Sequence, residues 1–339
     1  MGHVIGDPDF PRRGSMQFWP RKRAKRIYPR LRNAPELQEP VLTSFSGYKV
    51  GMTHMVIIDN LKHSPTKGEE IVVPVTIIEC PPLNIFSIRF YSKNLNYSPI
   101  LCQLNSENYE KELNRKLTLK KGAKEKKDKY SKDDLLRMAG EGKIGRVSVL
   151  VHTNPKLTGI GKKKPEIMEI IVGGDLKDAV NKAYELLGKQ VTVNDVFKEG
   201  EQIDTFSVTI GKGFQGSVKR FGVKIGRHKA EKVKRKAMSL GPWKPSKVNH
   251  RVPQHGQMGY QTRCDYNKWL MKILEPEKVA ARGGFVNYGN PKNVVILLKG
   301  SVPGHKKRLI RLRKSIRPNI ALPKQVPEMI SVSTMSKQG

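Results

Sequence analysis

A mainly β body carrying a charged helical insertion, a long basic internal loop and an extended N-terminal arm is the fold class that the sequence predicts. Three patterns predict it. Runs rich in Val, Ile and Thr, separated by Gly, Asn and Pro, begin at Pro40 and read as strands. A charged stretch with helix signals interrupts them at about 93–190. Near Ile210 the chain leaves the β pattern for a segment of glycines and cations, and it returns near Trp269, as an excursion from one domain does. The expected organisation is an arm at 1–39, a discontinuous body at 40–210 and 264–320, a loop at 211–263 and a tail at 321–339.

The arm is a polyanion-seeking segment. From Pro11 to Arg32 it contains no acidic residue, and Pro11, Pro20 and Pro29 prevent a continuous helix. It is therefore expected to be extended, with Phe18 and Trp19 available to pack or stack. Its candidate contacts are Arg12, Arg13, Trp19, Arg21, Lys22, Arg23, Lys25 and Arg26.

The body begins with VLTSFSGYKVGMTHMVIID from Val41, then IVVPVTIIEC and NIFSIRFYS, with turns at Gly47, Gly51, Asn60 and Pro65 to Gly68. VSVLV at 147–151, IMEIIV at 167–172, SVTIG at 207–211 and NVVILLKG at 293–300 continue the strand pattern. The charged region from Asn105 to Gly145 reads as helical and surface-exposed, with Ser131 and Asp134 spaced to cap a short helix through Ala139. A firmer helix runs from Asp175 to Leu187. Leu176, Val180, Ala183 and Leu187 share its core face, Asp175 can cap it, and Gly188 can end it. Near the C-terminus, RLIRLRKSI suggests an edge strand with one charged face. The longer run from Ser301 to Pro318 suggests a further phosphate contact, with Lys306, Lys307 and Arg308 as candidates.

The loop from Ile210 to Arg263 has Glu231 as its single acidic residue, and Phe214, Phe221, Trp243 and Tyr260 are spaced between its cations. Such a segment buries too little apolar surface to order itself in water. Cations meet phosphates, glycines admit close backbone approach, and flat rings stack on unpaired bases, so RNA is the chemistry it fits. The candidates are Lys212, Gly213, Phe214, Gly216, Lys219, Arg220, Arg227, His228, Lys234, Arg235 and Lys236. Trp243, Lys244, Lys247, Arg251, His255, Gln257 and Arg263 complete them. His228, His250 and His255 sit among cations, where contact with RNA suits them better than catalysis. Prolines at 242 and 245 stiffen the backbone around Trp243, which argues against a mere spacer.

Composition narrows the partner. The chain of 339 residues sets 64 Lys and Arg against 30 Asp and Glu, a net charge of +34 that calls for a polyanion. Gly and Pro break the basic stretches, so a membrane-surface helix is not the expectation. No apolar run approaches the roughly 18 residues of a spanning helix. The first residues turn polar and basic at once, and a cytoplasmic location is expected. Cys80, Cys102 and Cys264 are too scattered for a zinc site or a disulfide framework, and are expected to be reduced thiols. No metal, cofactor or small-molecule substrate is expected.

Gly211, Gly213 and Gly216 spell GKGFQG, a literal GxGxxG after a strand. A dinucleotide site needs a packed helix next and an acidic residue about 20 positions on. The chain after Gly216 is instead glycine-broken and basic, with Glu231 surrounded by lysines. An RNA-modifying enzyme using this motif and an architectural RNA-binding protein are the alternative readings.

Ordered words along the chain resemble the universal large-subunit ribosomal protein number three family in its archaeal and eukaryotic form. They are RRGSMQFWPRKRA at 12–24, GYKVGMTH at 47–54, VFKEGEQID at 196–204 and VTIGKGFQGSVKRFG at 208–222. LGPWKPSKV at 240–248, GQMGYQTR at 256–263 and GSVPGHKKRLIRLRKSI at 300–316 continue the match. The resemblance implies a translation-protein-type β-barrel with an α/β insertion, bound to large-subunit rRNA as an early-assembly, structural and non-enzymatic protein. It further implies that the loop and arm run toward the peptidyl-transferase centre, with Trp243 at the loop tip near tRNA, and that neighbouring large-subunit ribosomal proteins are partners. Eukaryotic members carry a methylated His where this chain has Glu231, so that modification is not implied here.

Overall fold

The computed structural model describes residues 13–93, 97–107, 110–118, 130–227, 229, 233–237, 240–244, 246–323 and 325–336. Two compact units divide the chain: residues 27–207 with 263–339, and residues 1–26 with 208–262.

The larger unit is built from β-branched runs where the sequence places them. They form β1 (Ser44–Ile58), β2 (Glu70–Glu79), β3 (Leu83–Ser92) and β4 (Ile100–Asn105). After α1 (Lys132–Gly140) come β5 (Ile144–Thr153), β6 (Ile167–Ile171), α2 (Leu176–Leu186) and β7 (Gln190–Val191). β8 (Gln202–Val208) then leads toward the basic loop, where β9 (Phe214–Gln215), α3 (Ser217–Phe221) and β10 (Gly256–Gln257) lie. β11 (Thr262–Leu274), β12 (Val295–Lys299), β13 (Leu309–Lys314) and β14 (Met329–Val332) complete the chain.

One sheet runs β13-β8-β11-β12-β2-β1-β14, and β13 also pairs with β1. The hydrogen-bonded path through six of these strands therefore returns to its start. The second sheet runs β4-β3-β5-β6, with β7 also on β3. β1 shows how the sheets share a core. Its residues from Ser44 to Gly51 are all buried, whereas exposed and buried positions alternate from Met52 to Met55, as in a strand with one wet face. Ser46 Oγ reaches Met168 Sδ of β6 at 2.8 Å, and Thr43 N–H donates to the Ile171 carbonyl at 3.1 Å. A single apolar cluster extends from Phe45 and Ile77 through Ile88 and Val149 to Val180.

α1 carries the capping box that Ser131 and Asp134 predict: the Asp134 N–H donates to Ser131 Oγ, and the Asp134 carboxylate accepts from the Ser131 N–H. The rest of the charged region is less helical than its composition suggests. Asn105 only ends β4, and Lys111–Arg115 form a short 3-10 turn, while 108–109 and 119–129 lie outside the described residues. In α2, Val180 and Ala183 are buried, and Leu176 and Leu187 pack against the core. Asp175 occupies the N-cap with its carbonyl only, accepting from the Ala179 N–H at 2.8 Å.

β13 differs from the edge strand expected of RLIRLRKSI. It lies between β8 and β1, so both its edges are paired. Its arginines face protein: Arg311 Nη2 donates to the Glu169 carbonyl at 2.7 Å, and burial pushes its guanidinium down to about 10. Arg313 stands opposite Asp204 in register, and Nη2 meets that carboxylate at 2.5 Å. Alternation of charged and apolar residues marks two different faces, but it does not say that the charged one is wet.

Glu79, at the end of β2, is a further buried polar side chain that the fold satisfies. Its Oε1 accepts from the Lys292 N–H at 2.8 Å, the Asn293 N–H at 2.9 Å and Asn293 Nδ2 at 2.7 Å, and its Oε2 from the Tyr288 hydroxyl. None of the three cysteines is in a disulfide; burial pushes the Cys80 thiol up strongly and the Cys264 thiol to about 11. No described helix is long and apolar enough to cross a membrane.

Candidate nucleic-acid interface

The smaller unit gathers the arm only as far as Arg26 with the loop, while the arm residues from Ile27 belong to the larger unit, where Tyr28 joins the core. At the loop base, two stretches more than 40 residues apart run antiparallel. Thr209 N–H donates to the Gln261 carbonyl at 3.0 Å, Tyr260 N–H to Ile210 at 3.2 Å, Lys212 N–H to Met258 at 3.0 Å and Met258 N–H to Gly213 at 2.9 Å. β9 and β10 extend the pairing, with Gln215 opposite Gly256 and Phe214 opposite Gln257. The arm joins this stalk through Ala24 N–H, which donates to the Tyr260 carbonyl at 2.8 Å.

Glycines permit the crossing. Gly259 has φ +68°, and a Cβ there stands 2.0 Å from the Ile210 carbonyl oxygen, a distance no side chain can occupy. Gly14, at φ +80°, brings the arm within 2.7 Å of Phe221 as measured from a Cβ position. Gly259→Ala is expected to open the stalk at a cost of roughly 2–3 kcal/mol. Amide exchange at Lys212, Met258 and Tyr260 should quicken about 30- to 150-fold while the larger unit unfolds at an unchanged denaturant midpoint. Unchanged exchange at those three amides would refute the strained crossing.

Around this stalk lies a small core that the sequence did not reveal. Phe221 is buried, at the end of α3. Trp19 stacks on it with centroids 5.7 Å apart and planes at 23°, and Arg21 lies over its ring at 4.2 Å. Two guanidiniums cross-link arm and loop: Arg21 Nη1 donates to the Arg220 carbonyl at 3.0 Å, and Arg220 Nη2 to the Arg21 carbonyl at 3.3 Å. Arg220 also donates to the carbonyls of Gln257, at 3.0 Å, and Gln254, at 2.9 Å. Burial, and then the charge of Arg21, lower its affinity for its proton. Arg220 thus acts as a structural clamp as well as a cation. Arg23 lies over the Tyr260 ring at 5.6 Å, and Phe214 pairs with His255 at 5.2 Å on the outer side of the hairpin.

Beyond the stalk, backbone bonds again hold while side chains face out. Gly226 N–H donates to the Lys234 carbonyl at 2.8 Å, and Ser217 Oγ to the Arg235 carbonyl at 3.3 Å. Lys234, Arg235 and Lys236 are exposed. Ser246 N–H closes a turn on the Trp243 carbonyl at 2.8 Å, and the indole of Trp243 is 88% exposed.

The candidate residues therefore fall into distinct settings. Arg13, Lys22, Arg23, Lys25 and Arg26 are exposed in the arm; Lys212, Gly213, Phe214, Gly216, Lys219, Arg227, Lys244, Lys247, Arg251 and His255 are exposed in the loop. Trp19, Arg21, Arg220 and Gln257 are half-buried and form the joint between arm and loop. Arg263, half-buried, belongs to the larger unit, as do Lys306, half-buried, Lys307, exposed, and Arg308, buried. Arg12 and His228 lie outside the described residues. Phe221, Tyr260, Gly14 and Gly259 were not among the sequence candidates; their partners lie too far along the chain for any spacing rule.

GKGFQG does not lead into a cofactor-type helix. α3 is a single turn, ended by Gly222 at φ +70°. Among the described residues no cluster of His, Cys, Asp or Glu is placed to hold a metal ion.

A family model described as ribosomal protein L3 matches residues 7–339. A Methanocaldococcus jannaschii relative named large ribosomal subunit protein uL3 is 49% identical over 334 residues, spanning 97% of this chain and 98% of the relative. Relatives of the same name from Archaeoglobus fulgidus and Methanopyrus kandleri are 46% and 42% identical, spanning 97% and 98% of this chain and 98% and 92% of their own lengths.

Proposed function

Because the chain belongs to the ribosomal protein L3 family and is a structural constituent of the large ribosomal subunit, we propose that it binds large-subunit rRNA through the arm and the basic loop and supports early subunit assembly. The observation that carries this reading is the smaller unit. Its backbone is held by its own hydrogen bonds, while Lys212, Lys219, Lys234, Arg235, Lys236, Lys244 and Lys247 face outward. Only Glu231 offers an opposite charge between Ile210 and Arg263. A surface so arranged attracts phosphate over its whole length.

The body is read as a translation-protein-type β-barrel, in keeping with the pairing path that returns through β13 to β1. The loop is read as reaching toward the peptidyl-transferase centre with Trp243 near tRNA. Its nearly complete exposure leaves the indole available to RNA. Neighbouring large-subunit ribosomal proteins are further partners, the location is the cytoplasmic ribosome, and the role is structural rather than catalytic.

Sedimentation of a lysate from the native source, at low and at high salt, tests this reading. Stoichiometric co-migration with the large subunit through a high-salt wash is expected. Migration in free fractions, or release by modest salt, would reduce the association to a peripheral one.

A further inference from the structure

Beside the Trp19–Phe221 stack lies a cavity of about 460 Å³, lined by Trp19, Pro20, Arg21, Lys22, Arg220 and His250. Its volume falls within the roughly 300–1,000 Å³ of small-ligand clefts. The lining is mostly apolar in area, yet it has three cations and no acidic residue. It therefore suits a ligand that is flat, apolar on its faces and negatively charged at one end.

We propose that this cavity is a subsite for one unpaired RNA nucleotide, its base stacked against the Trp19 indole and its phosphate held at Lys22 and Arg21. The proposal rests on the rRNA-binding reading and adds a defined place and a single-stranded partner to it. Phe221 backs the indole and fixes its plane, so no ring has to be ordered when the base arrives. His250 stands edge-on to Trp19 at 6.0 Å and 79°, forming a wall rather than a competing stack. Pro20 contributes a rigid apolar surface without a backbone donor. A paired base shows only its edge in a groove, whereas this cavity offers a ring to a base face, so the nucleotide must be unstacked from its strand. An anion at the rim also relieves the repulsion between Arg21 and Arg220, whose guanidiniums cross-link the arm and the loop.

Ultraviolet crosslinking of the native large subunit, followed by mass spectrometry of the full chain, tests the subsite. A nucleotide adduct on Trp19, His250 or Lys22 is expected. In subunits carrying Trp19→Leu, which keeps an apolar side chain but removes the π face, that adduct should vanish and one rRNA nucleotide should become reactive to base-modifying reagents. Trp19→Phe should retain both the adduct and the protection. If adducts form at loop residues such as Lys212 or Lys244 but none at the three cavity residues, and Trp19→Leu leaves base reactivity unchanged, the subsite is refuted while the rRNA reading stands. Absence of RNA adducts anywhere on the chain would overturn both.

Discussion

Arg313→Met is expected to destabilise the larger unit by about 3–5 kcal/mol, the usual cost of leaving a buried charge without its partner. Asp204 is 0% exposed and Arg313 is 5% exposed as residues, and they stand opposite each other on β8 and β13 with Nη2 2.5 Å from the carboxylate. Asp204 retains one other donor, the Asn267 N–H at 3.1 Å, which cannot neutralise it. Arg313 also donates to the Asn33 carbonyl at 3.1 Å and lies over Phe206 at 4.6 Å, so the methionine loses packing as well as charge. The double variant Asp204→Leu/Arg313→Met should recover most of the loss, because apolar residues of similar size often replace a buried pair at little cost. Urea unfolding of the wild type, both single variants and the double variant checks this. The midpoint should fall while the slope stays constant. A single variant within about 1 kcal/mol of wild type would mean that water reaches the pair and screens it.

This pair also shows what could be read from the sequence and what could not. The β-branched runs at Val41–Asp59, Ile71–Cys80 and Asn84–Ser92 became β1, β2 and β3 because strand preference there is a local property, strengthened by burial. α1 and α2 were legible for the same reason: a capping box lies within one turn and an apolar stripe within about three. The setting of β13 was not. RLIRLRK alternates identically whether its arginines meet solvent, phosphate or a carboxylate, and the deciding partner, Asp204, is 109 positions away. The interface divides similarly. Its charge and exposed rings were visible as composition, and Lys234, Trp243 and Lys247 are exposed. Its joint was hidden, because Trp19 with Phe221 and Arg21 with Arg220 connect segments that lie about 200 residues apart. Arg220, read from sequence as a phosphate ligand, spends its donors on the carbonyls of Arg21, Gln254 and Gln257.

Binding of the full chain to an rRNA fragment should be dominated by salt. If about ten phosphates are neutralised, log affinity falls with log salt at a slope between about −7 and −9, so raising salt from 50 to 200 mM costs roughly 10⁴- to 10⁵-fold. Lys234→Gln/Arg235→Gln/Lys236→Gln removes three exposed cations without removing the backbone bonds at Lys234 and Arg235 that hold their segment. The slope should flatten by about 2–3, close to one per lost contact, and the affinity deficit should be greatest at low salt. Lys182→Gln serves as the control. That lysine is half-buried on α2 and pairs with Glu185 at 3.0 Å, so its charge is already answered within the helix, and the slope should not change. A triple variant whose slope changes no more than the control's would mean that the Lys234–Lys236 face does not meet phosphate. An equal affinity loss at every salt concentration would instead indicate lost shape. Counterion release scales with the number of phosphates neutralised, so this measurement counts contacts directly and separates cations that touch RNA from those, like Arg220 and Arg313, that hold the protein together.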